Sequence, residues 1–243
     1  MNAKKLSFLL LILVAVACTN RSTSSEQDEM RHWNNVLQQI NALLLENKAR
    51  QTLDLAKQTL PEILESAEKN GTTDTLIYYA RKIFNACGNN YINTKQYKDG
   101  IDYMDSIGNH PLIREHCPHE LLSFKAGLNQ LYGNNPEAVR LAEDYLQLPV
   151  CTSANDFIRQ AEIISGVYMY SGNNLPKAIQ ILEKAIDVYR KGGNFPNMLR
   201  IMSRLGIYYH LSGEYEKAIA TNQEAIATYN DSIAPGNVVI AYG

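Results

Sequence analysis

The chain has 243 residues, 45% of them hydrophobic and 20% charged, with a formal net charge of −2. This is ordinary globular composition, which excludes a disordered or collagen-like chain, and the length suffices to bury a sizeable core. Basic residues do not outnumber acidic ones, so no cationic surplus exists to neutralise a phosphate backbone and nucleic acid is not an expected partner.

Lys4 and Lys5 precede an almost unbroken apolar run of twelve residues, Leu6 to Ala17. A helix needs about 20 residues to cross a bilayer core, so this run is too short to span and reads as a secretory signal. It ends in Ala15, Val16, Ala17 and Cys18 and then turns polar. That order resembles a lipobox, in which the cysteine is acylated and becomes the new N-terminus, although Ala15 stands where Leu is usual. The resemblance implies a lipoprotein signal peptide over 1–17 and a lipidated Cys18 opening a flexible, Ser-rich tether over 18–28. The alternative is a plain signal cut after Ala17. Loss of residues 1–17 removes two of the 23 basic residues and no acid, leaving 21 against 25, or −4. Each buried CH₂ of an acyl chain contributes about 0.8 kcal/mol to attachment, so the expected location is the cell envelope, lipid-anchored, on the periplasmic face. The membrane is then a partner through the lipid alone.

Residues 29–243 read as helical hairpins, and no stretch shows sustained two-residue alternation. The first hairpin, about 29–69, carries one stripe at Trp33, Val36, Leu37, Ile40, Leu43 and Leu44. A second stripe runs over Leu53, Ala56, Leu60, Ile63, Leu64 and Ala67, with Pro61 expected to kink its helix. It has the character of an N-terminal cap. Further hairpins are expected at about 74–107, 119–148, 157–191 and 198–230, separated by loops that include 108–118 and 149–156. A forty-residue register runs through them. Gly166 and Tyr168 recur as Gly206 and Tyr208, Lys177, Ala178 and Ile179 as Lys217, Ala218 and Ile219, and Ala185 and Ile186 as Ala225 and Ile226. Pro136 and Ala138 precede Pro176 and Ala178 by the same interval. An earlier unit carries Gly88 and Gly100. Small residues at these positions permit helix axes to approach to about 8–10 Å. Asn237 to Gly243 reads as the opening of another first helix, which suggests a chain cut short or a stub.

Leu205, Gly206 and Tyr209, then Gly213, Tyr215, Ala218 and Ala225, resemble the tetratricopeptide repeat (TPR) motif. Met202 replaces its first aromatic, the closing Pro is absent, and the period is forty where about 34 is common. The resemblance covers roughly residues 74–243 and is strongest in the last complete unit. It implies an all-α fold of the α-α superhelix class, a TPR-like solenoid of antiparallel helical hairpins, whose first helices line a concave ligand groove. Groove positions read from the register are Lys82, Asn85, Asn89, Asn93, Gln130, Tyr170, Arg200, Arg204 and His210. The three Asn lie four residues apart, and each can bond a peptide backbone as donor and acceptor. A TPR subgroup grips a C-terminal carboxylate with Lys and Asn, then Asn, then Lys and Arg on successive hairpins. Arg200 and Arg204 match the last pair, but Ser123, Gly127 and Ile164 stand where Lys, Asn and Asn are wanted, so the resemblance does not extend to that clamp.

Chemistry is sparse elsewhere. His116, Cys117 and His119, with His110 nearby, form the one metal-like cluster; adjacent His and Cys cannot easily face one ion, so metal is a minor alternative. Cys117 and Cys151 could pair as a disulfide, whereas Cys87 reads as a small core residue. No Gly-rich phosphate loop, nucleophile elbow or HExxH is present, and no enzyme, cofactor or small-molecule substrate is expected. The implied function is binding of protein or peptide, as the sensory or docking region of an envelope signalling system. The alternative is a complete envelope-assembly scaffold, of barrel or pilus type.

Overall fold

The computed structural model describes residues 27–149, 154–192 and 195–228. Within them every regular element is a helix. They are α1 (27–45), α2 (Ala49–Asn70), α3 (Asp74–Asn93), α4 (Tyr97–Ile107), α5 (Pro111–His116), α6 (Pro118–Tyr132), α7 (Asn135–Gln147), α8 (Ala154–Tyr170), α9 (Leu175–Gly192), α10 (Phe195–Leu211) and α11 (Tyr215–Thr228). The expected stub at 237–243 and Cys18 lie outside the described residues, as does Cys151.

Local chemistry sets the hairpins. Each helix pair α1–α2, α3–α4, α6–α7, α8–α9 and α10–α11 is joined by a turn holding a positive-φ residue: Asn47, Lys95, Gly133, Asn173 and Gly213 respectively. A left-handed residue stops a helix by turning the next N–H back onto an orphaned carbonyl. Thus Lys48 N–H donates to Leu43 O at 2.9 Å, Gln96 to Tyr91 O at 3.1 Å, Asn134 to Asn129 O at 2.9 Å, and Glu214 to Tyr209 O at 2.9 Å. Gly133, Asn173 and Gly213 repeat the forty-residue register in the backbone itself. The first hairpin, which lacks the sequence motif, shares the turn.

The chain divides into two compact units, Met1–Cys87 and Gly88–Gly243, with the division inside α3. In the first, Trp33, Val36 and Ile40 of α1 and Leu53, Ala56, Leu60, Ile63 and Leu64 of α2 are buried at the three- and four-residue spacing of an amphipathic helix. The Trp33 and Tyr79 rings lie 5.7 Å apart. Helix α2 continues through Pro61, which sits on its exposed side.

The second unit is built on small residues at helix crossings. Gly88, Gly100, Ala138, Gly166, Ala178, Ala185, Gly206, Ala218 and Ala225 are all buried. A Cβ on Gly88 would overlap the Phe124 ring of α6, and one on Gly127 would stand 2.6 Å from Ile163 Cγ2 of α8. On Gly206 it would meet Asn222 Oδ1 of α11 at 2.5 Å. Gly206 therefore faces Asn222, one turn beyond Ala218.

The segment 108–118 departs from its expectation as a polar loop. It holds α5, which starts on Pro111 with the Leu112 N–H donating to His110 Nδ1 at 3.2 Å. Leu112, Ile113 and Cys117 are fully buried. Proline suits the first helical turn because its missing N–H has no intrahelical acceptor there. Two apolar residues then make burial of that turn favourable.

Candidate functional site

The positions expected to line a groove fall on the first helices of the hairpins. Lys82 and Asn85 lie on the part of α3 in the first unit, both half-buried, with Lys82 Nζ 5.7 Å from the Tyr78 ring centre. The remaining positions belong to the second unit. Asn89 is half-buried and Asn93, one turn on, is exposed. Gln130 lies on α6, with its Oε1 close to Gly166 of α8. Tyr170, at the end of α8, is 69% exposed. His210 is exposed and packs edge-on against Tyr215 at 5.4 Å.

Three of these positions, Asn89, Arg200 and Arg204, come together around two residues that the sequence reading did not select, Arg159 and Glu162 of α8. Arg159 Nε donates to Asn89 Oδ1 at 2.7 Å. Arg200 Nη2 stands 2.9 Å from Glu162 Oε2, and Arg159 Nη1 stands 3.9 Å from the same oxygen. Arg204 Nη1 donates to the Glu162 backbone carbonyl at 3.2 Å, which also accepts from Ser165 Oγ at 3.0 Å. The Glu162 side chain is only 3% exposed. Burial lowers the Arg159 pKa from its ordinary value; Glu162 opposes that shift, and Arg200 and Arg204 add to it. Two guanidiniums thus share the Glu162 carboxylate and a third holds its backbone carbonyl, in a partly dry setting where charges act more strongly than in water.

The sequence does hold a signal for this site. Forty residues beyond Glu162 the register has Met202, which is 1% exposed. A carboxylate thus occupies a core position that the repeat fills with an apolar side chain. Arg159 likewise stands where the next unit has the buried Leu199. Two charged departures one turn apart on one helix are the mark of a polar site set into a core.

Beside it, the Tyr208 and Tyr209 hydroxyls titrate above their ordinary range. Burial is the main cause at Tyr208. At Tyr209 it is burial, then the hydrogen bond that the hydroxyl donates to Glu183. Folding therefore favours the neutral phenols. Their contribution is complete below pH 10, the ordinary tyrosine value, and is lost as pH rises through the higher folded values. Thermal midpoints are expected to fall above pH 10, and Tyr209→Phe should flatten that fall. Equal slopes for the variant and the parent would contradict the assignment to Tyr209.

The His-Cys segment shows no metal geometry. His119 Nε2 lies 2.7 Å from Pro149 O, and Cys117 is buried at the α5–α6 junction. Among the described residues no three His, Cys, Asp or Glu side chains converge to hold an ion. No described helix is long and apolar enough to cross a membrane.

Antiparallel hairpins with one turn chemistry and small residues at their crossings define a helical-repeat protein. Residues 161–231 match the family model described as tetratricopeptide repeat. The described residues have the all-helical fold of a TPR-like solenoid. Among solved structures it is similar to BtubC from P. vanneervenii, with a TM-score of 0.58 at 11% identity over 80% of this chain and 83% of that one. It is also similar to a kinesin light chain-type protein of nearly identical TPR-like repeats from Podosopora anserina. There the TM-score is 0.52 at 12% identity, over 82% of this chain and 95% of that one. Identities this low speak for the fold alone. No curated protein sequence matches the chain.

Proposed function

We propose that this is an exported, lipid-anchored TPR protein that binds peptide or protein partners, serving as the sensory or docking region of an envelope signalling system. TPR repeats generally bind protein partners. The observation that carries the reading for this chain is the polar cluster of Asn89, Arg159, Glu162, Arg200 and Arg204, set among first helices whose other faces are core. Buried charge is costly to maintain for stability alone, and its concentration at one place on a repeat scaffold supports the reading of a recognition surface there. The short signal and Cys18 support export and anchoring.

Two experiments test the two halves. Cys18→Ser should move the protein from the membrane fraction to the soluble fraction, since a single acylated residue is the attachment. Retention in the membrane fraction would overturn the anchor. Pull-down with the full lipidated chain should recover a protein partner, and joint replacement of Asn89 and Asn93 by Ala should release it. If every recovered partner stays bound to the double variant, this face of α3 is not the docking surface.

A further inference from the structure

Glu162 is the only acid paired with Arg159, Arg200 and Arg204 among their described side-chain contacts. The cluster holds three guanidiniums and one carboxylate, the carboxylate only 3% exposed. Arg159 and Arg200 are each about two-fifths open to solvent, so the excess charge can be reached from outside. The Arg200 Nε is buried and makes no hydrogen bond. Arg200 and Arg204 stand one turn apart on α10 and both reach Glu162, one at its carboxylate and the other at its backbone carbonyl. Like charges brought together and partly desolvated repel, and a bound anion relieves that repulsion. An overall net charge of −2 makes this a local positive spot on an acidic chain, suited to a few carboxylates rather than to a polyanion.

We propose that Arg159, Arg200 and Arg204 form an anion subsite that takes the side-chain carboxylates of an acidic segment of a partner peptide. The inference rests on the peptide-binding reading above and names the chemistry of its ligand. Glu162 holds the forks in place from within, and it also competes with the incoming carboxylate for Arg200. Guanidinium forks bind carboxylates through two parallel N–H donors, and these bonds are stronger than neutral ones.

The test uses the full chain in detergent and a fluorescein-labelled, C-terminally amidated peptide of alternating Glu and Ala, read by fluorescence anisotropy. Its Gln counterpart should bind at least about tenfold more weakly, as expected when charge-assisted bonds are lost. Arg159→Gln and Arg204→Gln should each weaken the Glu peptide about five- to tenfold with unchanged helical circular dichroism. Both leave the Glu162–Arg200 pair intact, so they remain informative even if changes at that pair unfold the chain. Equal affinity for Glu and Gln peptides overturns the subsite, as does unchanged binding by both Arg variants. Tighter binding of a phosphoserine peptide overturns the carboxylate assignment. Binding only when the C-terminus is a free carboxylate shows that a chain terminus, not an acidic side chain, is recognised, and overturns it too. A partner recovered by pull-down alongside any of these failures leaves peptide binding standing without this subsite. Failure of the pull-down removes the broader reading instead.

Discussion

Gly88→Ala is expected to lower the free energy of unfolding by about 1–3 kcal/mol, the usual cost of overpacking a core, although alanine is the better helix former by about 1 kcal/mol. The added Cβ would lie inside the van der Waals envelope of the Phe124 ring. Phe124 is itself fully buried, so the ring has no open space into which to retreat. Overlap at the α3–α6 crossing therefore outweighs the local propensity gain. Denaturant unfolding reads the loss directly, and in a domain of this size each kcal/mol moves the thermal midpoint by about 2–4 °C. In a Phe124→Leu background the ring is gone, and Gly88→Ala should cost markedly less; the difference is the coupling between the two sites. Gly166→Ala is the natural contrast. Its Cβ would meet nothing closer than Gln130 Oε1 at 3.8 Å, so it should be neutral or stabilising by up to about 1 kcal/mol. Equal effects at Gly88 and Gly166 would mean that the α3–α6 crossing is looser than described.

The second large effect is expected at the buried charge. Arg200→Met leaves Glu162 with Arg159 at 3.9 Å as its nearest remaining cation. Breaking a fully buried pair costs about 3–5 kcal/mol; because Arg200 is itself partly exposed, about 2–4 kcal/mol is expected. Replacing both partners should reverse most of this. Glu162→Met restores the side chain type found at Met202, the same register position one unit later, and removes the carboxylate that needs the arginine. The double variant Glu162→Met, Arg200→Met should therefore approach or exceed the stability of the parent, as apolar replacements of buried pairs do. A double-mutant cycle measured by urea unfolding gives the coupling. Additive losses would show that Glu162 and Arg200 act independently, and that the 2.9 Å pairing is not the arrangement that stabilises this core.

These two predictions separate two uses of one core. Gly88, Gly127 and Gly206 bring helices close by having no side chain. Glu162 and Arg200 occupy the same kind of interior with charge, which good packing alone does not require. Stability that the double Met variant recovers at the expense of acidic-peptide binding would mark the pair as retained for recognition.

By itself the sequence determined the helices, their pairing into hairpins and their forty-residue period. Those properties are local. Apolar residues three and four apart select a helix whatever lies beyond it, and Gly or Asn in a left-handed turn ends it within a few residues. The repeat in Gly166 and Gly206, and in Ala178 and Ala218, is visible for the same reason. Even the motif-free first hairpin was legible from the stripes of Trp33, Val36 and Ile40 and of Leu53, Ala56 and Leu60. Helix α5 was missed because Pro111 and the His-rich segment around it read as loop, while its two apolar residues are too few to show a period. The polar cluster was half legible. Arg200, Arg204 and Asn89 stood out by register, but Arg159 and Glu162 did not, since a charged residue on a helix is most often a solvated one. Only tertiary structure decided that Arg159 meets Asn89, seventy residues away, and that Glu162 is buried beneath Arg200. The physical reason is that the reach of a long guanidinium and the burial of a carboxylate depend on how far one hairpin is rotated against the next. That offset is set by close approaches such as Gly88 on Phe124 and Gly127 on Ile163, between residues far apart in the chain.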